Sequence, residues 1–180
     1  MKSLNKTVKI FIIITMYLTS FNCNAQYQSK DFANGDNYLN NNLDKFIGTW
    51  KYSDANQSFT IILKKENIRL PVENDVRADA MIGFHKFIKS GNVIEDTTID
   101  YNTNFSDKKF SLFTFGDDNE ITEFNIGLTS NSTKKDVSVK IEFIDFNHIK
   151  ITRIRNTPGL KLKPFNPIII YPQNIILMRQ

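Results

Sequence analysis

Cysteine and histidine are scarce in this sequence, and their scarcity excludes several kinds of chemistry. The only cysteine among the 180 residues is Cys23, so no disulfide can form within one chain. The two histidines, His85 and His148, fall on separate predicted strands, and a zinc site needs more ligands than these two supply. We interpret both as ordinary strand residues, and we expect no metal and no cofactor.

Motifs typical of enzymes are also missing. No serine stands in a Gly-x-Ser-x-Gly elbow, and no glycine-rich loop could cradle a phosphate. A glycosidase needs two opposed carboxylates in a cleft. The nearest pair, Glu95 and Asp96, consists of sequence neighbours that point to opposite faces of a strand, where we expect solvated side chains. The sequence therefore predicts a protein that is not an enzyme.

No apolar run is long enough to span a membrane. The longest, residues 10–18, is interrupted by one threonine and is far shorter than the ~20 residues of a spanning helix. Lysines precede this run, no acidic residue occurs before Asp31, and small and polar residues follow it. A basic region, a short apolar region and a small-residue exit are typical of a secretion signal. We predict a signal peptide at residues 1–25 and an exported protein.

Two cleavage sites remain open for this signal peptide. Cleavage before Cys23 would leave that residue acylated and the domain anchored in the outer membrane, although Phe21 and Asn22 fit a lipobox poorly. Cleavage after Ala25 would instead release a periplasmic or secreted chain that begins at Gln26.

Excess charge of one sign is lacking once the signal peptide is removed. The remaining chain has 20 basic and 19 acidic residues, a net charge of +1. Nucleic-acid binding, which uses a clustered basic patch, is therefore not expected. Residues 26–42 are polar and rich in asparagine, a composition typical of a flexible tether. Protein partners cannot be named from the sequence.

The rest of the chain, residues 43–180, alternates apolar and polar residues with a period of two. This is the pattern of half-buried strands, and no sustained helical repeat accompanies it. The predicted strands are 46–52, 58–65, 77–89, 93–101, 109–115, 121–129, 137–143, 148–155 and 174–179. Only residues 39–45 could hold a turn or two of helix. Eight or nine short strands joined by short turns predict an all-β domain, a single antiparallel up-and-down barrel.

The start of the first barrel strand resembles that of the lipocalin (calycin) family. The resemblance rests on Gly48, Thr49 and Trp50, which follow a short helical turn, and on Arg179 in the last strand. It implies a barrel whose closed end is plugged by Trp50, with the Arg179 guanidinium stacked on the indole ring. The chain also looks like small exported bacterial proteins of unknown function that share this opening.

Two functions from different classes are open, and the resemblance supports the first of them. The first is a carrier that binds a small hydrophobic ligand inside the barrel. Strand parity gives the candidate interior residues Tyr52, Val137, Val139, Ile141, Phe143, Ile149 and Ile151. The alternative is a structural or interaction domain with a filled core that acts through its loops, among them the proline-rich segment 156–172.

Overall fold

The computed structural model of the chain describes residues 32–115, 122–157 and 166–180. The predicted signal peptide, Cys23 and the first residues of the predicted tether lie outside this part of the chain, as does half of the proline-rich segment.

Strands account for most of the described structure, in agreement with the predicted all-β class. The ten strands are β1 (Asn37–Tyr38), β2 (Gly48–Ser53), β3 (Gln57–Arg69), β4 (Arg77–Lys89), β5 (Asn92–Asp96), β6 (Leu112–Thr114), β7 (Glu123–Ser130), β8 (Lys135–Asp145), β9 (His148–Asn156) and β10 (Ile175–Arg179). Short 3₁₀-helices occupy Asn41–Phe46, Thr98–Asp100 and Phe105–Asp107.

Eight of these strands form a closed antiparallel barrel. Their order is β2, β3, β4, β6, β7, β8, β9 and β10, and β10 pairs again with β2. The two remaining strands both lie beside β4: β1 pairs with it in parallel and β5 in antiparallel. Neighbours in the barrel follow one another along the chain, apart from β5, so the predicted up-and-down barrel is confirmed.

The barrel interior is filled by side chains. In β7, for example, Phe124, Ile126 and Leu128 are buried while the residues between them are exposed. Many interior side chains, such as Trp50 and Phe59, are 0% exposed. Because a void large enough for water would give the side chains around it some accessible area, no such void borders these residues.

Strand β4 is buried on both faces, which the sequence alone did not indicate. Met81 and Phe87 belong to the interior core, whereas Ile82 and Phe84 have the opposite parity and are nevertheless fully buried. The chain between β5 and β6 is fastened across the outer face of β3. There Lys64 Nζ donates to the carbonyl oxygen of Thr103 over 2.8 Å. This chain therefore forms an outer layer over part of the barrel.

The predicted strand 93–101 is cut short by an aspartate. Strand β5 ends at Asp96, whose carboxylate accepts hydrogen bonds from the backbone N–H and the hydroxyl of Thr98. Such local bonds compete with strand pairing, and the chain turns into a 3₁₀-helix at this point.

The folded domain begins earlier than residue 43, the boundary that the sequence suggested. Asn37 and Tyr38 pair with β4, and the backbone N–H of Asn40 donates to Asp79 over 2.9 Å. Two residues of the asparagine-rich segment, Asn37 and Tyr38, are thus part of the sheet, and Asn40 is bonded to the barrel.

Candidate functional site

The residues of the lipocalin-type motif meet at one rim of the barrel. The Arg179 guanidinium carbon lies 4.1 Å from the centre of the Trp50 ring, and Trp50 Nε1 donates to the carbonyl oxygen of Phe46 over 2.8 Å. Gly48 has a φ of 136°, and a Cβ there would lie 2.7 Å from a guanidinium nitrogen of Arg179. Glycine is thus required by both the backbone conformation and the closeness of the arginine.

The candidate interior residues all lie on the barrel core. Five are buried: Val137, Val139, Ile141, Ile149 and Ile151. The other two, Tyr52 and Phe143, are partly buried and pack against it, and the Tyr52 hydroxyl donates to Asp54 over 2.6 Å. These side chains form the packing described above. Their role in ligand binding remains a prediction.

A cluster of polar side chains, all buried except the exposed Ser132, lies toward the opposite rim. It is centred on the carboxylate of Glu95, which is 4% exposed. His85 Nε2 lies 2.7 Å from Glu95 Oε2, and the Tyr171 hydroxyl donates to the same oxygen over 2.6 Å. Oε1 accepts from the Ser130 hydroxyl and from the backbone N–H and hydroxyl of Ser132. We call these five residues the Glu95 cluster.

The cluster extends through the histidine to a further serine. His85 Nδ1 lies 2.8 Å from Ser111 Oγ, and Ser111 Oγ lies 2.9 Å from Thr97 Oγ1. The Thr97 hydroxyl accepts from the backbone N–H of His85 over 2.8 Å, which fixes its position beside the ring. Ser111, His85 and Glu95 therefore form one continuous hydrogen-bonded chain.

Hydrogen bonds keep the buried carboxylate ionised. Burial by itself would raise the pKa of Glu95, but donation from His85, Ser132, Tyr171 and Ser130 outweighs it and holds that pKa far below its ordinary value. Burial, followed by the hydrogen bond to Glu95, raises the pKa of the Tyr171 phenol well above its ordinary value. At neutral pH the pair is thus a carboxylate and a neutral phenol.

The local structure explains how the Glu95 cluster forms. Glu95 pairs with Phe87, an interior residue of β4, just beyond a register shift between Phe87 and Ile88. Asp96, one residue on, pairs with Lys86 and forms an ion pair with it at 2.7 Å. The expectation that Glu95 and Asp96 point to opposite faces holds, but the expectation that Glu95 is solvated is wrong.

Sequence reasoning missed the cluster, although one signal was present. His85 was interpreted as an ordinary strand residue, yet it is 0% exposed and shares the interior parity of Met81 and Phe87. A polar residue on a buried parity needs a partner. No comparable signal pointed to Tyr171, which lies in the proline-rich segment.

A second candidate site is an apolar groove on the outer layer. Phe105 and Phe113 lie in its wall, with ring centres 5.5 Å apart, and the Phe115 ring lies 5.1 Å from that of Phe113. The β3–β4 connection supplies the opposite wall through Leu70 and Val72. The groove has a volume of about 700 Å³. We call it the aromatic groove.

We expect the ionised Glu95 to make stability depend on acidity. Because the folded-state pKa lies below 4.5, the unfolded chain takes up the proton first, so the free energy of unfolding should fall as pH drops from about 5 to 3. Glu95→Gln should flatten this dependence in urea unfolding measured across that range. Glu73→Gln, at an exposed position, should keep the wild-type slope. Parallel curves for Glu95→Gln and wild type would contradict the assignment.

Two properties of the described residues bear on the kind of site. Residues 32–115, 122–157 and 166–180 contain no group of three or more His, Cys, Asp or Glu side chains placed to hold a metal ion. In that same part of the chain, no helix has the length and apolar character needed to cross a bilayer.

Comparison with known proteins identifies the family of the chain but indicates no activity. No curated protein and no solved structure matches the chain. The model of a family of unknown function, DUF6705, matches residues 5–180, nearly the whole sequence. The chain therefore belongs to this family of unknown function, DUF6705.

Proposed function

We propose that this protein is an exported, lipocalin-like binding domain that holds a small amphipathic anion in the aromatic groove. The observation that carries the proposal is an apolar groove of about 700 Å³ on a barrel whose interior is already filled. Pockets of this size are typical of small-molecule sites. The proposal keeps the hydrophobic ligand expected from the sequence and moves it from the interior to the outer layer.

The composition of the groove favours an apolar chain as the buried part of the ligand. Phe105, Phe113 and Phe115 offer aromatic faces, and Phe115 and Val72 are 43% and 37% exposed. Covering such side chains removes apolar surface from water, which favours binding by about 1.5–3 kcal/mol for a large side chain.

Charge favours an anionic headgroup. The charged residues that line the described groove are Arg69 and Lys108, both basic. Arg69 also pairs with Asp75 at 3.2 Å, a contact exposed to solvent and therefore weak. A carboxylate on an alkyl chain, as in a fatty acid, would meet basic and not acidic side chains in this lining.

Titration with a fluorescent fatty-acid probe tests the groove. We expect Phe115→Ser and Val72→Asp to weaken binding about 10- to 100-fold, since each removes an apolar contact. Phe146→Ser is the matched control, because Phe146 is 76% exposed elsewhere on the barrel and should leave binding unchanged.

A second control separates the groove from the interior. Val139→Ala should lower the unfolding midpoint while binding is retained, since Val139 lies in the core. Loss of binding in Val139→Ala, with unchanged binding in both groove variants, would place the ligand in the interior and contradict the proposal.

The proposal also places the domain outside the cytoplasm. Its support is the basic, apolar and small-residue pattern of residues 1–25. The mass of the mature chain distinguishes the two cleavage sites, because an acylated Cys23 is heavier than the cysteine by its lipid.

A further inference from the structure

The chain of hydrogen bonds from Ser111 to Glu95 has the arrangement of an activated nucleophile. A serine lies within hydrogen-bond reach of a histidine, at 2.8 Å, and the histidine is oriented by a carboxylate at 2.7 Å. Nucleophile, base and orienting group at these distances are the structural signature of nucleophilic catalysis. We propose that Ser111 is an acyl-accepting nucleophile that hydrolyses small carboxylic esters, a function beyond binding in the groove and independent of it.

The protonation states required for this chemistry follow from the contacts. An ionised carboxylate can only accept, so His85 Nε2 must carry the hydrogen that it shares with Glu95. General-base catalysis uses the neutral ring, in which the other nitrogen, Nδ1, has a lone pair that can accept the hydroxyl hydrogen of Ser111. The two ring nitrogens have exchanged roles relative to the Ser-His-Asp triad, in which Nδ1–H donates to the carboxylate and Nε2 accepts the serine proton. Either nitrogen of a neutral imidazole can carry the lone pair that accepts this proton.

Ser111 also borders space that a substrate could enter. It lies in the wall of an open pocket of about 500 Å³, together with Thr97, Lys109 and Asn131. The lining is largely polar, which suits a small ester better than a long acyl chain. Lys108 lines both this pocket and the aromatic groove, so the two sites adjoin.

The reaction balances with water as the only co-reactant. Ser111 Oγ attacks the ester carbonyl carbon and transfers its proton to His85 Nδ1. The carbon–oxygen bond to the leaving alcohol then breaks, and the alcohol takes that proton. Water attacks the acyl-serine through the same histidine, releases the carboxylic acid and restores Ser111.

A fluorophosphonate probe tests the nucleophile in the full-length protein. We expect intact mass spectrometry to show one phosphonyl adduct per folded chain and peptide mapping to place it on Ser111. Ser111→Ala should carry no adduct. Ser138→Ala, at a partly buried serine of β8 that lies outside the chain of contacts, should be labelled like wild type. An unlabelled folded wild type, or an adduct on another residue, would overturn the proposal.

Hydrolysis of p-nitrophenyl acetate tests the roles of the other two residues. His85→Gln should lower kcat by about 10²- to 10⁴-fold, the usual contribution of a general base. Glu95 is a positioning residue, and Glu95→Gln should lower kcat with KM unchanged in the folded fraction. An unchanged kcat in both folded variants would overturn the assignment. Because peptide mapping uses wild type, the test stands even where a variant fails to fold.

Discussion

Replacing Trp50 with alanine is expected to lower the free energy of unfolding by about 3–5 kcal/mol. The side chain is 0% exposed, so its removal leaves a cavity in the core. Because the surrounding side chains are closely packed, they can move only partly into that cavity. The variant also loses the hydrogen bond from the indole to Phe46 and the stacking of Arg179 on the ring. The loss combines apolar transfer, cavity formation and an arginine left without its aromatic partner.

Urea unfolding followed by far-ultraviolet circular dichroism measures this effect, because Trp50 is the only tryptophan and its fluorescence disappears with it. Met178→Ala is the control, since Met178 is 57% exposed on β10 and should change stability by less than about 0.5 kcal/mol. A loss below about 1 kcal/mol for Trp50→Ala would mean that the indole does not plug the barrel.

The second large effect is expected at Tyr171, where two variants separate the ring from the hydroxyl. Tyr171→Ala should cost about 3–5 kcal/mol, because the ring packs 5.6 Å, centre to centre, from each of Phe59, Phe87 and His85. Tyr171→Phe keeps this packing and removes only the donor to Glu95. It should cost about 1–3 kcal/mol, the penalty of a buried group left short of a partner.

Guanidinium unfolding at pH 7 distinguishes these outcomes. Tyr101→Phe is the matched control, since Tyr101 is 48% exposed and its hydroxyl should contribute less than about 0.5 kcal/mol. If the free energies of unfolding of both Tyr171 variants lie within about 0.5 kcal/mol of wild type, Tyr171 does not fasten the segment 166–173 to the barrel. Equal losses in the two variants would instead assign the whole effect to the hydroxyl.

The sequence predicted the barrel well because a strand pattern is local. Strand β8 shows this most clearly: Val137, Val139 and Ile141 are buried and the residues between them are not. The period of two gives the face, and short turns give antiparallel neighbours. The pairing of Trp50 with Arg179 could also be predicted, because the two ends of the chain resemble those of the lipocalin family.

The Glu95 cluster was beyond reach because its parts come from distant segments. Glu95 and Ser132 are 37 residues apart, and Glu95 and Tyr171 are 76 apart. No local pattern reports such contacts. The burial of β4 on both faces was equally out of reach, because a period of two predicts one buried face and cannot show that Ile82 and Phe84, on the other face, are buried too.

The pairing of β2 with β10 has a consequence for how the protein is made. These strands meet at Trp50–Arg179 and Lys51–Met178, so a nascent chain that lacks β10 is an open sheet with β2 and β9 as free edges. At about 5–20 residues per second, a ribosome needs roughly 6–25 seconds to reach β10 after finishing β2. The edge of β2 can pair with other chains throughout that time, and the edge of β9 can do so from the completion of β9 until β10 pairs with it. These edges need protection only during synthesis, because β10 pairs with both β2 and β9 in the finished barrel.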